Sequence, residues 1–348
     1  MSRKLLSYTA LGLILGNAAI ADVPKVAVDI APVHSLVSRV MEGVGSPKLI
    51  IPAGASPHEY SLRPSEAKSL QDADMVIWMG EDLAPWMENS IEKLAKNAEV
   101  ITLLEASETK LLDFREGALF EEHDHGDHDD HDDHDDHDHD KDHDDHDDHD
   151  DHDDHDHDKD HDDHDDHDDH DDHAGHDHGE HDPHAWLSIE NAQTWLNLVA
   201  GKLSAADPEN AGVYFGNAAA ARSEIEELSK EVNSILDPVR GRSFVVFHDA
   251  YQYFETSFDF PASGAISLGD ATDPSASRIA EIQGRVREEG INCVLSEPQY
   301  NPNLVETVLE GTDAKTGVID PLGVNLEPGS KLYGDLIRNM AKSLAGCL

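Results

Sequence analysis

Four histidines stand outside a long stretch of histidine and aspartate, and their positions suit metal binding. They are His34, His58, His184 and His248. His248 directly follows an apolar run at 243–247 that predicts a β-strand, and His58 lies in a Gly- and Pro-rich loop beyond a second predicted strand at 48–52. Ligands of open α/β sheets bind beyond the carboxyl ends of the strands. Both imidazoles are therefore expected at a ligand-binding edge.

Two further side chains are expected to join them. Asp320 follows a predicted strand at 315–319, and His184 stands at the mouth of a predicted helix in the sequence Asp-Pro-His. Three imidazoles and one carboxylate would form a four-coordinate shell of nitrogen and oxygen ligands, as zinc prefers. The sequence thus predicts a Zn2+ site formed by His58, His184, His248 and Asp320.

Other interpretations of these residues stay open at this point. Each histidine taken singly is more often structural, and only their joint placement favours a metal site. His34 follows the first predicted strand; because the shell is already full, we predict that it neighbours the ligands without binding the ion. A zinc hydrolase would need an open coordination position beside a general base. With Asp320 bound no position remains, so we predict a receptor and not an enzyme.

The elements that must position these residues alternate between strand and helix. Strands are predicted at 26–30, 48–52, 75–79, 100–103, 244–247, 292–296 and 315–319. Helices are predicted at 35–41, 65–70, 85–96, 189–203, 208–236, 275–288, 302–309 and 331–344. This alternation predicts two Rossmann-like α/β lobes joined by one long helix, with the metal site in the cleft between the lobes. The expected domains are an N-terminal lobe at 22–207, a linker helix at 208–237 and a C-terminal lobe at 238–348.

The stretch at 121–182 repeats His-Asp-Asp and holds 21 of the 25 histidines and most of the net charge of −49. It has almost no apolar surface to bury, so it is predicted to be a disordered loop. Its imidazoles predict many weak zinc sites, the first and last of them at His123, His125, His128, His131, His173, His176, His178 and His181. An acidic spacer is the alternative. Because ligation needs neutral imidazole, collection should fade below about pH 6.5.

The first residues predict export. Arg3 and Lys4 precede an apolar run at 5–20, and the small residues at 19 and 21 match a signal-peptidase site. We therefore expect a signal peptide at 1–21 and a periplasmic protein; an uncleaved membrane anchor is the alternative. The acidic charge, without a basic stripe, disfavours nucleic acid and favours a cationic ligand. A monomer is expected.

Two cysteines, Cys293 and Cys347, complete the chemically notable residues. An even number in an oxidising compartment favours one disulfide. Zinc ligation by these thiols is the rival interpretation, although no Cys-x-x-Cys pair is present to supply a second thiolate.

Five segments carry a resemblance to a known family. They read GASPHEYSLRPSEAKSLQDADMVIWMG at 54–80, DPHAWLS at 182–188, FVVFHDAYQYFE at 244–255, CVLSEPQY at 293–300 and IDPLG at 319–323. Together they resemble the periplasmic zinc-binding receptors of ABC importers, the zinc type within the cluster A-I metal-receptor family. The similarity covers nearly the whole chain after the predicted signal peptide.

This resemblance implies two lobes joined by a rigid helix, a histidine-rich loop, and delivery of zinc to an inner-membrane permease. It also implies that His58, His184 and His248 are ligands, that Asp320 takes the family's aspartate position, and that Cys293 pairs with Cys347. Zinc is favoured over manganese because manganese members place a glutamate where His248 stands, and imidazole suits zinc. A manganese receptor or surface adhesin of related architecture is the remaining alternative.

One position departs from the family. Some zinc members carry a glutamate directly before the first histidine ligand, where this chain has Pro57. Glu59 follows the histidine instead and is predicted to lie near the site without completing the shell. The fourth ligand is therefore predicted to be Asp320, or a water molecule held by it.

Overall fold

The computed structural model describes residues 23–115, 120, 181–267, 275–300 and 302–348. The predicted signal peptide at 1–21 and the tract histidines from His123 to His178 lie outside these residues; His181 lies within them. No helix in the described part of the chain combines the length and apolar content needed to cross a membrane.

The N-terminal lobe contains a four-stranded parallel sheet with the strand order β2-β1-β3-β4. Its strands are β1 Val26–Val28, β2 Lys48–Leu49, β3 Met75–Trp78 and β4 Glu99–Thr102. Its helices are α1 Ala31–Val40, α2 Pro64–Gln71, α3 Pro85–Leu94 and α4 Ile189–Ala206. The central strands are apolar along their whole length because helices cover both faces of a parallel sheet.

The C-terminal lobe repeats the arrangement with the strand order β6-β5-β7-β8, again all parallel. Its strands are β5 Phe244–His248, β6 Gly264–Ser267, β7 Cys293–Ser296 and β8 Lys315–Val318. Its helices are α6 Gln252–Phe258, α7 Ala276–Glu288, α8 Pro302–Leu309 and α9 Leu332–Cys347. In β5, Phe244 and Val246 face the large core that continues into the other lobe, while Val245 and Phe247 face a smaller core on the opposite side of the sheet.

One long helix, α5 at Ala211–Leu236, joins the lobes. Short 3-10 turns at Pro208–Asn210 and Asp237–Val239 flank it. Its buried residues recur every three or four positions, as Ile225, Leu228 and Val232 do, and this stripe packs against α1, α4 and α9. The prediction of two α/β lobes joined by a long helix is confirmed, while the domain boundaries stay a prediction.

The disulfide between Cys293 and Cys347 is present, with a Cα–Cα distance of 5.7 Å. It joins the first residue of β7 to the last residue of α9. It therefore lies at the amino end of the sheet, away from the carboxyl ends of the strands.

The largest differences from the sequence prediction concern two elements and the start of one helix. Helix α6 and strand β6 were not predicted, because both are short, and Pro261 before β6 and Gly264 at its start are residue types that strands disfavour. Helix α1 begins at Ala31, four residues earlier than expected, because Pro32 can occupy the first turn without losing a hydrogen bond. His34 is consequently a helical residue and does not belong to a loop beyond the strand.

Candidate metal centre

Three imidazoles from separate parts of the chain converge between the lobes. His58, His184 and His248 each offer one ligand atom, and these atoms lie within 4.8 Å of one another. The ring centroids of His184 and His248 are 4.9 Å apart, and that of His58 lies 5.7 Å and 6.2 Å from them. In a tetrahedral zinc site the ligand nitrogens are about 3.3 Å apart. Small ring rotations would close this group around an ion.

His248 is placed by the register of the C-terminal sheet. It is the last residue of β5, and Val246 pairs with Leu295 of β7. Two residues after this pair, His248 therefore lies beside Glu297, the residue that directly follows β7. Nδ1 of His248 is 3.1 Å from Oε1 of that carboxylate. Both residues are almost fully buried, at 3% and 4% exposure.

His184 is placed by a tight turn at the start of α4. One oxygen of Asp182, Oδ1, accepts hydrogen bonds from the backbone N–H of His184 at 2.9 Å and pairs with its ring Nδ1 at 2.7 Å. The ring of Trp186 lies 5.2 Å from the imidazole, and its Nε1 donates to the carbonyl of Pro321 in the other lobe at 2.9 Å. The turn is thus fixed to both lobes.

His58 lies in the loop that follows β2. The carbonyl of Pro57 accepts a hydrogen bond from Nε1 of Trp86 at 2.8 Å, which ties the loop to α3. Gly54 has a φ of +91°, a left-handed conformation that favours glycine, and a Cβ there would lie 3.3 Å from Val324. The loop therefore turns back directly against the C-terminal lobe, and His58 is half-buried.

Buried carboxylates behind two of the rings set the chemistry of the centre. Each carboxylate accepts a hydrogen bond from the Nδ1–H group of its histidine. This contact favours the tautomer that carries its proton on Nδ1, and in that tautomer the lone pair of Nε2 can bind an ion. Asp182 and Glu297 together also bring two negative charges to a largely desolvated place. Such charges are costly to bury unless they are paired, and a divalent cation between the rings would offset them.

The space between the rings suits an ion rather than an organic molecule. The cavity has a volume of about 20 Å3, and a single water molecule needs about 10 to 15 Å3 on this measure. Its walls include Ser56, Pro57, Gln299, Tyr300 and Leu322 in addition to the three histidines. The site therefore has room for one ion, or one water molecule, in this conformation.

The structure does not bring Asp320 into the group of converging ligand atoms. Its Oδ1 accepts hydrogen bonds from the backbone N–H groups of Leu322 and Gly323 at 3.1 Å and 2.8 Å, and its Oδ2 accepts one from Val324 at 2.7 Å. In this geometry the carboxylate stabilises the turn after β8. Its role as fourth ligand stays a prediction.

His34 and Glu59 also stand outside the group. Nε2 of His34 lies 3.3 Å from the carbonyl of Pro47, and its Nδ1 lies 3.4 Å from the hydroxyl of Ser38 on the same helix. Burial lowers the pKa of the His34 imidazole, so the ring is neutral at neutral pH. Glu59 is exposed. Neither residue contributes a ligand atom to the group of three imidazoles.

Asp182 and Glu297 are the site residues that sequence reasoning missed. Both lie inside segments that carry the family resemblance, Asp-Pro-His and Ser-Glu-Pro-Gln-Tyr. A signal for Glu297 was available, because an acid directly after a predicted strand shares the sheet edge with a histidine directly after the neighbouring strand. Which strands are neighbours, however, is a property of the folded sheet.

Comparisons with known proteins agree with this geometry. A family model for the periplasmic zinc-uptake complex component A, ZnuA, matches residues 26–347. The chain is 46% identical over 346 residues to the high-affinity zinc uptake system protein ZnuA of Paracoccus denitrificans, covering 98% of each chain. It is 44% identical over 333 residues to the protein of the same name from Brucella abortus, covering 96% of this chain and 94% of that one.

Solved structures share the fold at lower identity. A crystal structure of ZnuA superposes with a TM-score of 0.68 at 18% identity, covering 94% of this chain and 99% of that one. A mutant of the laminin-binding adhesin from Streptococcus agalactiae gives 0.66 at 19% identity, covering 93% and 99%. These likenesses concern the fold alone. The family model runs from the first strand to the last helix and a relative is 46% identical along almost the whole chain, so this protein belongs to the periplasmic zinc-uptake component A (ZnuA) family.

Proposed function

We propose that this chain is a periplasmic receptor that binds one Zn2+ ion tightly and delivers it to the inner-membrane permease of an ABC importer. His58, His184 and His248 are the protein ligands, and Asp182 and Glu297 orient two of them. The proposal depends mainly on one observation: three imidazole ligand atoms from three separate segments lie within 4.8 Å of one another.

The character of the donors favours zinc over manganese. A set of three imidazoles suits zinc, whereas manganese is favoured by carboxylate and other oxygen ligands. Copper and nickel would also bind imidazoles strongly, so cellular supply contributes to the selection. The names of the curated relatives, which are zinc uptake proteins, support the same choice.

The site also favours capture over catalysis. A hydrolytic zinc enzyme must admit a substrate next to the metal-bound water. The cavity of about 20 Å3 has no room for one in this conformation. We therefore propose that binding energy serves recognition and transfer of the ion. Turnover of ester or phosphoester substrates by the zinc-loaded protein would count against this assignment.

The test is an equilibrium titration of residues 22–348 with zinc in competition with a chelator of known affinity. Alanine in place of His58, His184 or His248 should each weaken the tight site by at least about 100-fold, since one of three fixed donors is lost. His34→Gln is the matched control, because it changes a histidine outside the group, and its zinc affinity should stay within about twofold of wild type. Equal behaviour of all four variants would place the tight site elsewhere.

The fourth coordination position is decided by a separate measurement. X-ray absorption of the zinc-loaded wild type and of Asp320→Asn should be compared at the zinc edge. If Asp320 binds the ion, as the sequence predicts, the substitution lowers affinity and alters the oxygen shell. If water fills the position, the two spectra match and the substitution acts mainly on the stability of the turn after β8.

A further inference from the structure

Arg115 lies just before the histidine-rich tract, and its guanidinium is held by two carboxylates of the C-terminal lobe. Its Nε donates to Asp249 at 3.0 Å, and its Nη1 donates to Glu255 at 2.7 Å. Its Nη2 donates to both, at 3.1 Å to Glu255 and in a close contact to Asp249. The side chains of Arg115, Asp249 and Glu255 are 16%, 8% and 6% exposed. This is a buried cluster of one cation and two anions.

Only a guanidinium can make this set of contacts. It is planar, carries five N–H donors and can serve two carboxylates at once, whereas an ammonium group is a single point of attachment. Two neighbouring buried carboxylates repel each other unless a cation lies between them. The ring of Phe120 covers the guanidinium at 3.5 Å and limits its exposure to water. Arg115 therefore determines how closely Asp249 and Glu255 can lie together.

One side of the cluster leads directly to a zinc ligand. Asp249 is the residue after His248, and its backbone N–H donates to the carbonyl of Ser267 at 3.2 Å. Fixing the side chain of Asp249 fixes the end of β5, and the direction of the neighbouring imidazole with it.

The other side of the cluster leads to His184 through the segment at 112–115, here called the stem. The carbonyl of Leu112, three residues before Arg115, accepts a hydrogen bond from the backbone N–H of Asp182 at 2.8 Å, and the N–H of Leu112 donates to the hydroxyl of Tyr253 at 2.9 Å. The Tyr253 hydroxyl in turn donates to the carbonyl of Asp182 at 3.0 Å. Asp182 is the residue that holds the ring of His184.

We propose that Arg115 is a positioning residue that holds His184 and His248 at a fixed separation, so that two of the three ligands form a prepared half-site before the ion arrives. The inference rests on the proposed zinc-binding function. His58 comes from a different loop, tied to α3 through Trp86, and supplies the third imidazole. A prepared pair of ligands loses less freedom on binding than two independent ones, which increases affinity.

The test compares Arg115→Lys with Arg39→Lys. Arg39 is equally exposed at 16% and makes a two-pronged contact with Glu224, but it lies on the contact between α1 and α5. We expect Arg115→Lys to lower zinc affinity about tenfold, the size seen when an outer partner of a metal ligand is lost. Arg39→Lys should bind within about twofold of wild type. If Arg115→Lys does not fold, Glu255→Gln is tested in its place, and this variant should also lower zinc affinity.

The substitution is then repeated in ligand-deficient backgrounds, which separates positioning from general destabilisation. In a His58→Ala protein Arg115→Lys should again lower the residual affinity about tenfold, because the half-site remains. In a His184→Ala protein it should have no further effect, because the pair no longer exists. Equal effects in both backgrounds, or no effect in the wild-type background, would overturn the inference. Failure of the wild type itself to bind zinc tightly would instead overturn the proposed function.

Discussion

The carboxylate behind His248 offers the sharpest test of how the site works. Glu297→Gln keeps the size and one acceptor oxygen of the side chain, so the hydrogen bond to Nδ1 can persist while the negative charge is removed. Glu297 is 4% exposed and its Oε1 lies 3.1 Å from the ring. The substitution therefore isolates the electrostatic contribution of a buried charge.

The magnitude follows from the geometry. A unit charge about 6.5 Å from a divalent ion interacts by about 5 kcal/mol at an effective dielectric constant of about 20, which is an upper bound. Loss of such an outer partner typically weakens metal binding by about 10- to 100-fold. This range corresponds to about 1.4 to 2.7 kcal/mol. We therefore expect the dissociation constant for zinc to rise by about 10- to 100-fold.

The assay is competition with a chromogenic zinc chelator at fixed pH and ionic strength, with the thermal midpoint of the zinc-free protein as a check on folding. Glu59→Gln is the matched control: the chemical change is the same and the residue follows His58, but the side chain is exposed and screened by salt. Zinc affinity of Glu297→Gln equal to that of Glu59→Gln would refute the electrostatic reasoning.

Three further outcomes follow from the structure. Burial raises the pKa of Asp29 from 3.8 to about 7. An acid with a higher pKa in the folded state stabilises the fold as pH falls below about 7, so the zinc-free wild type should gain about 2 to 3 kcal/mol of stability over Asp29→Asn between pH 8 and pH 5 in urea denaturation. Parallel pH profiles of the two proteins would contradict this. Removing the disulfide with Cys293→Ser and Cys347→Ser together should lower the free energy of unfolding by about 4 kcal/mol. Zinc affinity should stay within about twofold of wild type, and a large loss of affinity would show that the disulfide shapes the site. Replacing all tract histidines at 123–181 with asparagine, and keeping every aspartate, should reduce the zinc bound in a titration to one ion per chain. An unchanged number would favour the acidic-spacer alternative.

Much of the architecture could be predicted from local patterns. Fully apolar runs such as 75–79 and 244–247 require burial on both faces, and Pro208 and Pro238 bracket the joining helix in the sequence. The short strand β6 escaped prediction because it is defined by its pairing with a neighbouring strand, β5, and not by its own periodicity.

The histidines of the site were selected by position alone. His248 and His58 follow apolar strands, and parallel strands present their carboxyl ends at one edge. Asp320 satisfied the same rule, yet its oxygens accept three backbone N–H groups in the folded turn. A sequence pattern identifies which side chains lie at the carboxyl edge of a sheet. Whether backbone N–H groups then form hydrogen bonds to a carboxylate at that edge depends on the conformation of the loop.

The sequence by itself determined the two-lobed α/β class and the metal type that imidazoles favour; it predicted the group of three histidines and favoured a disulfide between the two cysteines. Tertiary structure alone decided that Asp182 and Glu297 stand behind two of the rings, that His34 turns to Pro47, and that Arg115 joins the stem to Asp249 and Glu255. The physical reason is range. Burial patterns and sheet edges follow from residues near each other in the chain, whereas these contacts join groups separated by up to about 140 residues. The distances between such groups are set only when the strands take their register and the lobes pack together.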